Sequence, residues 1–380
     1  MSARALIAPR LIALAAGGTG GHVFPAEALA AELRERGNRL ALITDSRGDA
    51  YSGVLGEIET HHVRAGAVAG RSVVGRAGSM VELAIGTWQA LGLLKKLDPA
   101  AVVGFGGYPS VPTMLAAVRR GCPSVIHEQN AILGRANRLL AGRVARIATS
   151  FASLAQIDTV ARVVHTGMPV RPAIAALSER PYIAPDAEGA VNLLVLGGSQ
   201  GARVLSDVVP EALRRLDRSL LDRLHLSQQC RPEGLERVLA AYAEFAINPD
   251  LATFFDDVPE RMAAAHLVIC RSGASTVAEA TALGRPTILV PYPHAADDHQ
   301  AANAQDVADA GGGWMMREEQ FTPETLAAFL SDVLAEPARL DAAAAAARGF
   351  GRPDAARRLA EVVQDLLKAN GGHNSGRAAA

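Results

Sequence analysis

Between Ala15 and Leu33 the chain reads AAGGTGGHVFPAEALAAEL, an apolar run, four glycines around one threonine, and then alanines and leucines at helical spacing. A strand, glycine turn and helix in this order offers backbone N–H groups to a negatively charged group. Thr19, Gly20 and Gly21 let such a group approach the backbone, and His22 follows at the start of the helix. A helix N-terminus disfavours an imidazolium, so a neutral His22 near pH 7 is able to take a proton from an attacking hydroxyl. Capping the helix or orienting a substrate is the plainer role for the same residue. Glu128, in the stretch HEQN, is the rival base.

A second glycine turn lies in VNLLVLGGSQGARVL (Val191 to Leu205). Gly197 to Gly201, with Ser199, would present N–H groups and a hydroxyl to an anion, or form only a tight turn. In CRSGASTVAEA (Cys270 to Ala280), the small residues Ala274, Ser275 and Thr276 let a ligand come close to a helix start, and Glu279 follows on the same helix. A glutamate on an alanine-rich helix is otherwise simply solvated. Two aspartate doublets, Asp256 with Asp257 and Asp297 with Asp298, each precede a helical run. Helix capping explains them better than a metal, and no metal is expected.

A chain of 380 residues has room for two ordinary α/β cores. Three scattered cysteines, Cys122, Cys230 and Cys270, support neither a disulfide framework nor a zinc site and suit a reducing cytoplasm. Arg4 and Arg10 before a short apolar run imitate a signal peptide, but the run enters GGTGG with no small-residue cleavage site and is expected to be the first core strand. No apolar stretch approaches the roughly 20 residues that span a bilayer. The net charge of −1 is uneven: residues 1–170 hold 18 Lys and Arg against 11 Asp and Glu, leaving 20 against 28 in the remainder. Arg64, Arg71 and Arg76 lie in one acid-free stretch, and Arg135, Arg138, Arg143 and Arg146 in another. Such runs suit an anionic partner, lipid headgroups or a phosphorylated substrate, or form a solvated face.

Short apolar runs alternate with helical patterns, as in parallel sheets wrapped by helices. Strands are expected at residues 11–16, 39–44, 100–105, 123–128 and 145–150, and, after the restart at Val191, at 191–196, 222–228, 266–271 and 286–291. Met80, Leu83, Ala84, Trp88, Leu91 and Leu94 are expected along one helix face, either core or membrane-facing. The prolines of GMPVRP (Gly167 to Pro172) mark a boundary, giving domains at 1–170 and 171–370 and a disordered tail at 371–380. Two βαβ domains opening on glycine loops imply a ligand in a cleft between them, at the carboxyl ends of the strands.

Neither loop has the GxGxxG spacing of a dinucleotide site, although Asp45 ends the second strand where a ribose contact would sit, and neither carries the lysine of a phosphate-binding kinase loop. AGGTGGHVFPA, GFGGYPSVP, HEQNAILGRAN, PVRP, LGGSQGARVL, CRSGASTVAEA and DDHQAANA do occur together, in an order and spacing that resembles the MurG family of bacterial N-acetylglucosaminyltransferases from about Leu11 to Leu367. The resemblance implies two Rossmann-like α/β domains of the glycosyltransferase B type and an inverting, metal-independent transfer of GlcNAc from UDP-GlcNAc to the C4 hydroxyl of lipid I, forming lipid II. It also implies an acceptor- and membrane-binding N-terminal domain and a donor-binding C-terminal one. Cofactors and nucleic acid have no part in it. The expected location is peripheral, on the cytoplasmic face of the inner membrane at an anionic surface, with cell-wall and division proteins as further partners.

By the same resemblance Ser199 and its loop meet the donor diphosphate, and Glu279 takes both ribose hydroxyls. Asn130 and Gln300 bond the GlcNAc hydroxyls with His299 assisting, and the Phe255 backbone meets uracil. Arg171 and Arg271 are candidates for the uridine or diphosphate, or for structural ion pairs. Met168 stands where the family commonly has asparagine, and Phe255 where an aliphatic residue is common. A nucleotide-sugar epimerase, a transferase with another acceptor and a non-catalytic nucleotide-sugar binder are the competing readings.

Overall fold

The computed structural model describes residues 9–17, 20–45, 53–66, 73–154, 162–186, 188–198, 201–245 and 247–375. They form two compact units, one of residues 1–171 with 354–380 and one of 172–353.

In the first unit seven strands, β1 (Leu11–Ala15), β2 (Arg39–Thr44), β3 (Glu59–His62), β4 (Ala101–Gly104), β5 (Ser124–Glu128), β6 (Arg146–Thr149) and β7 (Val163–His165), pair in the order β3-β2-β1-β4-β5-β6-β7. Every pairing is parallel. Helices cover both faces, so the central strands are apolar on both. Ile12 and Leu14 point to one side, against Leu29 and Leu33 of the helix Gly20–Glu35 and Leu359 and Val363 of the helix Ala355–Ser375. Ala13 and Ala15 point to the other, against Leu94 of the helix Val73–Leu97 and Met114 of the helix Gly107–Arg119.

The second unit repeats the plan with six parallel strands, β8 (Val191–Leu196), β9 (Leu224–Gln229), β10 (Asp250–Ala252), β11 (Leu267–Cys270), β12 (Thr287–Leu289) and β13 (Gly313–Met315), in the order β10-β9-β8-β11-β12-β13. Leu193, Val195 and Ile269 pack on Leu205 and Val209 of the helix Arg203–Leu213 and on Leu326 and Leu330 of the helix Pro323–Ala335. In both sheets the strand order reverses beside the first strand of the unit, between β1 and β4 and between β8 and β11. Such a reversal opens a crevice at the carboxyl ends of the strands, and each glycine loop leaves its sheet there.

Two expectations change. The boundary falls at Arg171, but the chain returns to the first unit at Asp354 instead of staying in the second to residue 370. The cause is apolar: Leu359, Ala360, Val363, Leu366 and Leu367 are buried in the first core. Arg10 also donates to the Leu367 carbonyl (3.1 Å) and Arg36 to Gln364 Oε1 (2.8 Å). The last helix runs to Ser375, so the expected tail is helical over its first half, and residues 376–380 lie outside the described residues.

The helix Val73–Leu97 divides the apolar face expected of it. Leu94 is buried and Leu83 and Leu91 are half-buried, whereas Met80, Val81, Ala84 and Trp88 are exposed. Met80, Ala84 and Trp88 recur every fourth residue and so make one outward stripe.

Candidate active site

Around the first crevice, the side chain of His22 turns from the first turn of its helix toward the end of β4. Its Nδ1 lies 2.8 Å from the Phe105 carbonyl oxygen. A carbonyl only accepts, so Nδ1 carries the proton, and the lone pair of the neutral ring is on Nε2. The ring stands beside Gly106 and Gly107: a methyl on Gly107 would come within 3.3 Å of His22 Nε2, and one on Gly106 within 3.6 Å of His22 Cε1. Gly106 has φ 76°, a conformation that favours glycine, and leads into the helix Gly107–Arg119. Thr19 lies outside the described residues, while Gly20 and Gly21 open the helix of His22.

Glu128, at the end of β5, is buried with its carboxylate taken up by the loop that follows. Oε1 accepts from Asn130 N (3.0 Å) and Nδ2 (3.3 Å), and Oε2 from Gly134 N (2.9 Å) and Asn137 Nδ2 (2.8 Å). Four donors on two oxygens hold the turn from 128 to 137, and with it Asn130. His127 is fully buried, donates Nε2–H to the Gly167 carbonyl (3.2 Å), and titrates near pH 4 because burial penalises its charged form. Arg171 belongs to the first unit, not to a donor-binding second domain: its guanidinium lies 5.6 Å from the centre of the Phe24 ring and faces Glu27.

In the second unit Gly197 leaves β8 into a turn closed by Gly201 N donating to the Gly198 carbonyl (3.0 Å). A methyl on Gly197 would come within 2.4 Å of Ala202 N, so the loop lies tight against the start of its own helix. Ser199 and Gln200 lie outside the described residues. After β11, Ala274, Ser275 and Thr276 form the first turn of the helix Ala274–Ala282, and the Ser275 hydroxyl is buried with no hydrogen-bond partner. Glu279 is buried in the second turn. Nearby, Ser272 Oγ donates to the Gln300 carbonyl (2.8 Å), and Gln300 Oε1 accepts from Tyr292 N (3.0 Å), which leaves the Gln300 amide nitrogen as the donor. His299 opens the helix His299–Asp309 and donates Nδ1–H to Ala296 O (2.7 Å).

Arg271 adopts the ion-pair alternative. It bonds Glu318 Oε1 (2.8 Å) and the carbonyls of Val290 (3.3 Å) and Pro291 (3.1 Å). Glu318 had no local signal, standing 47 residues away. Phe255 is buried under Arg261, whose guanidinium lies 4.2 Å from the ring centre. The aspartate doublets precede helices as expected, but neither Asp257 nor Asp298 caps through its side chain: they pair instead with Arg261 (2.7 Å) and Arg317 (3.1 Å). Among the described residues, no three His, Cys, Asp or Glu side chains are grouped to hold a metal ion.

Two doubly wound α/β units, each with a glycine turn at the reversal of its sheet, have the architecture of a B-type glycosyltransferase. The crystal structure of MurG from Acinetobacter baumannii is similar over 94% of this chain and 100% of that one, with a TM-score of 0.76 and 29% identity. Residues 12–149 match the glycosyltransferase family 28 N-terminal domain and residues 192–359 its C-terminal domain. Two enzymes named UDP-N-acetylglucosamine--N-acetylmuramyl-(pentapeptide) pyrophosphoryl-undecaprenol N-acetylglucosamine transferase are each 58% identical. That of Paramagnetospirillum magneticum covers 94% of this chain and 97% of its own, and that of Rhodospirillum rubrum 94% and 92%. The chain belongs to glycosyltransferase family 28, in its MurG branch.

Proposed function

We propose that this glycosyltransferase transfers GlcNAc from UDP-GlcNAc to the C4 hydroxyl of the MurNAc-pentapeptide of lipid I, forming lipid II with inversion at the anomeric carbon. The observation that carries the mechanism is the 2.8 Å contact from His22 Nδ1 to the Phe105 carbonyl, which puts the lone pair on Nε2. As general base, Nε2 takes the proton of the C4 hydroxyl while that oxygen attacks the anomeric carbon and UDP departs from the opposite face. Gly20 and Gly21, with Thr19 assigned alongside them from the sequence alone, serve the acceptor, and Asn130 serves a GlcNAc hydroxyl. Arg171 serves the first unit's own surface, with Phe24 and Glu27.

The second unit takes the donor. The turn at Gly197 to Gly201, with Ser199, meets the diphosphate, whose growing charge the helix N-terminus stabilises. Ala274, Ser275 and Thr276 admit the nucleotide to the next helix, and the buried Ser275 hydroxyl offers it a bond. Glu279 accepts the ribose hydroxyls, Gln300 donates to the sugar with His299 beside it, and the Phe255 backbone meets uracil. Arg271 acts by bracing the loop after β12 through Glu318. Truncating Glu279 to alanine is expected to weaken UDP-GlcNAc binding by about 1 to 3 kcal/mol, the cost of a lost buried polar contact. Calorimetry on the folded variant checks it, and unchanged affinity rejects the assignment.

UDP release that depends on a lipid I analogue tests the whole reading. Epimerised sugar or UDP formed without acceptor would make the chain an epimerase or hydrolase, and saturation with no release would make it a binder.

Among the described residues no helix is long and apolar enough to cross a membrane. We infer peripheral attachment to the cytoplasmic face through the exposed stripe of Met80, Ala84 and Trp88, with Lys95 and Lys96 exposed at the end of the same helix. Each basic residue near an anionic surface contributes on the order of 1 kcal/mol. Flotation is therefore expected with anionic vesicles and much less with neutral ones. Equal binding to both, or to neither, would sink the electrostatic contribution.

A further inference from the structure

The Phe105 carbonyl accepts two hydrogen bonds, one from His22 Nδ1 (2.8 Å) and one from Gln129 Nε2 (2.7 Å). The peptide that carries it joins Phe105 to Gly106, and glycine tolerates φ of either sign, so this peptide is able to flip with little steric cost. In the flipped state the Gly106 N–H faces the imidazole where the carbonyl was. Nδ1 then becomes the acceptor, the proton moves to Nε2, and the lone pair leaves the position at which a base acts.

Gln129 opposes that flip. It is buried, and its Nε2 is ringed by acceptors: the Phe105 carbonyl, His127 Nδ1 (3.3 Å) and the His127 carbonyl (3.4 Å). This fixes which end of the amide points at Phe105. His127 Nδ1 is an acceptor because Nε2 of the same ring donates to the Gly167 carbonyl (3.2 Å). One chain of bonds therefore runs from Gly167 through His127, Gln129 and the Phe105 carbonyl to His22.

We infer that Gln129 is a positioning residue for the transfer: by locking the Phe105–Gly106 peptide it holds His22 in the Nδ1-protonated tautomer that keeps the lone pair on Nε2. The inference rests on His22 as the base for its effect on rate, but the tautomer is measurable without that assumption.

The test uses the full chain labelled with ¹⁵N-histidine, in which long-range ¹H–¹⁵N spectra report which ring nitrogen is protonated. His22 is assigned by comparison with His22→Gln. The native protein is expected to show His22 protonated at Nδ1, and Gln129→Met to move some or all of that population to Nε2. In the same variant kcat is expected to fall about 10- to 100-fold, as misplacement of a reacting group does, with UDP-GlcNAc affinity and acceptor KM held within about twofold. In a His22→Gln background, Gln129→Met is expected to cost nothing more, because both changes remove one function.

A native His22 protonated at Nε2 overturns the inference, as does an unchanged tautomer in Gln129→Met whatever the rate does. A rate loss that repeats in full in the His22→Gln background places Gln129 in a role apart from His22 and overturns it too. If the methionine variant does not fold, Gln129→Asn, one methylene too short to reach Phe105, is read the same way. Should His22→Gln retain turnover, the base assignment fails while the spectra still decide what sets the tautomer.

Discussion

Replacing His22 with glutamine is expected to lower kcat by about 10² to 10⁴, the usual cost of losing a general base, and to leave UDP-GlcNAc affinity within about twofold. Glutamine fills much of the same space and still offers a donor to the Phe105 carbonyl, so the end of β4 keeps its partner. What it lacks is a nitrogen able to take a proton. Most groups assigned to UDP-GlcNAc lie on the second unit, and Asn130 of the first is held by Glu128 (3.3 Å), so the substitution removes none of them. Turnover and donor affinity measured in one preparation therefore separate the roles. A fall in kcat with affinity intact marks a base, and a loss confined to the acceptor KM marks a residue that only orients the acceptor. Near-normal turnover moves the base to another group.

The interior of both sheets was legible in the sequence because central strands in a parallel sheet are covered on both faces and read as unbroken apolar runs. The strands that went unread are β3, β7, β10 and β13, which are the four edges of the two sheets. An edge strand is short and half-covered, and β3, with the sequence ETHH, has no apolar signal to find. The return of the last helix to the first unit was hidden for a related reason. Its apolar spacing shows that Leu359, Val363 and Leu366 must be buried, but not which of two cores buries them. Within the candidate site, the place of His22 in the first turn of its helix and of Gly197 at the end of β8 was legible, because local sequence fixes both. The Arg271 to Glu318 pair and the placement of Arg171 beside Phe24 were not, because both depend on residues far off in the chain.

Glu128 tests how firmly a buried carboxylate can be given to structure instead of chemistry. Its oxygens accept from Asn130 N and Nδ2, Gly134 N and Asn137 Nδ2. Hydrogen bonds to a charged group contribute about 1.5 to 3 kcal/mol each, and a buried donor left unpaired costs about 1 to 3 kcal/mol. Glu128→Ala is thus expected to destabilise the first unit by about 3 kcal/mol or more, lowering its melting temperature by about 6 °C or more. Glu128→Gln is the sharper variant. Its amide oxygen satisfies one pair of donors, while its NH₂ is turned against the other pair, so stability falls even though the shape is kept. If Glu128 were the base, glutamine would abolish turnover even in the fraction of the enzyme that stays folded. If it is the brace of the loop from 128 to 137, both variants lose stability first, and activity declines with the folded fraction and with the displacement of Gln129 and Asn130 carried on that loop. Thermal melts and rates measured well below the melting temperature of each variant decide between these outcomes, and turnover lost from Glu128→Gln while it is fully folded would take the proton from His22 and give it to Glu128.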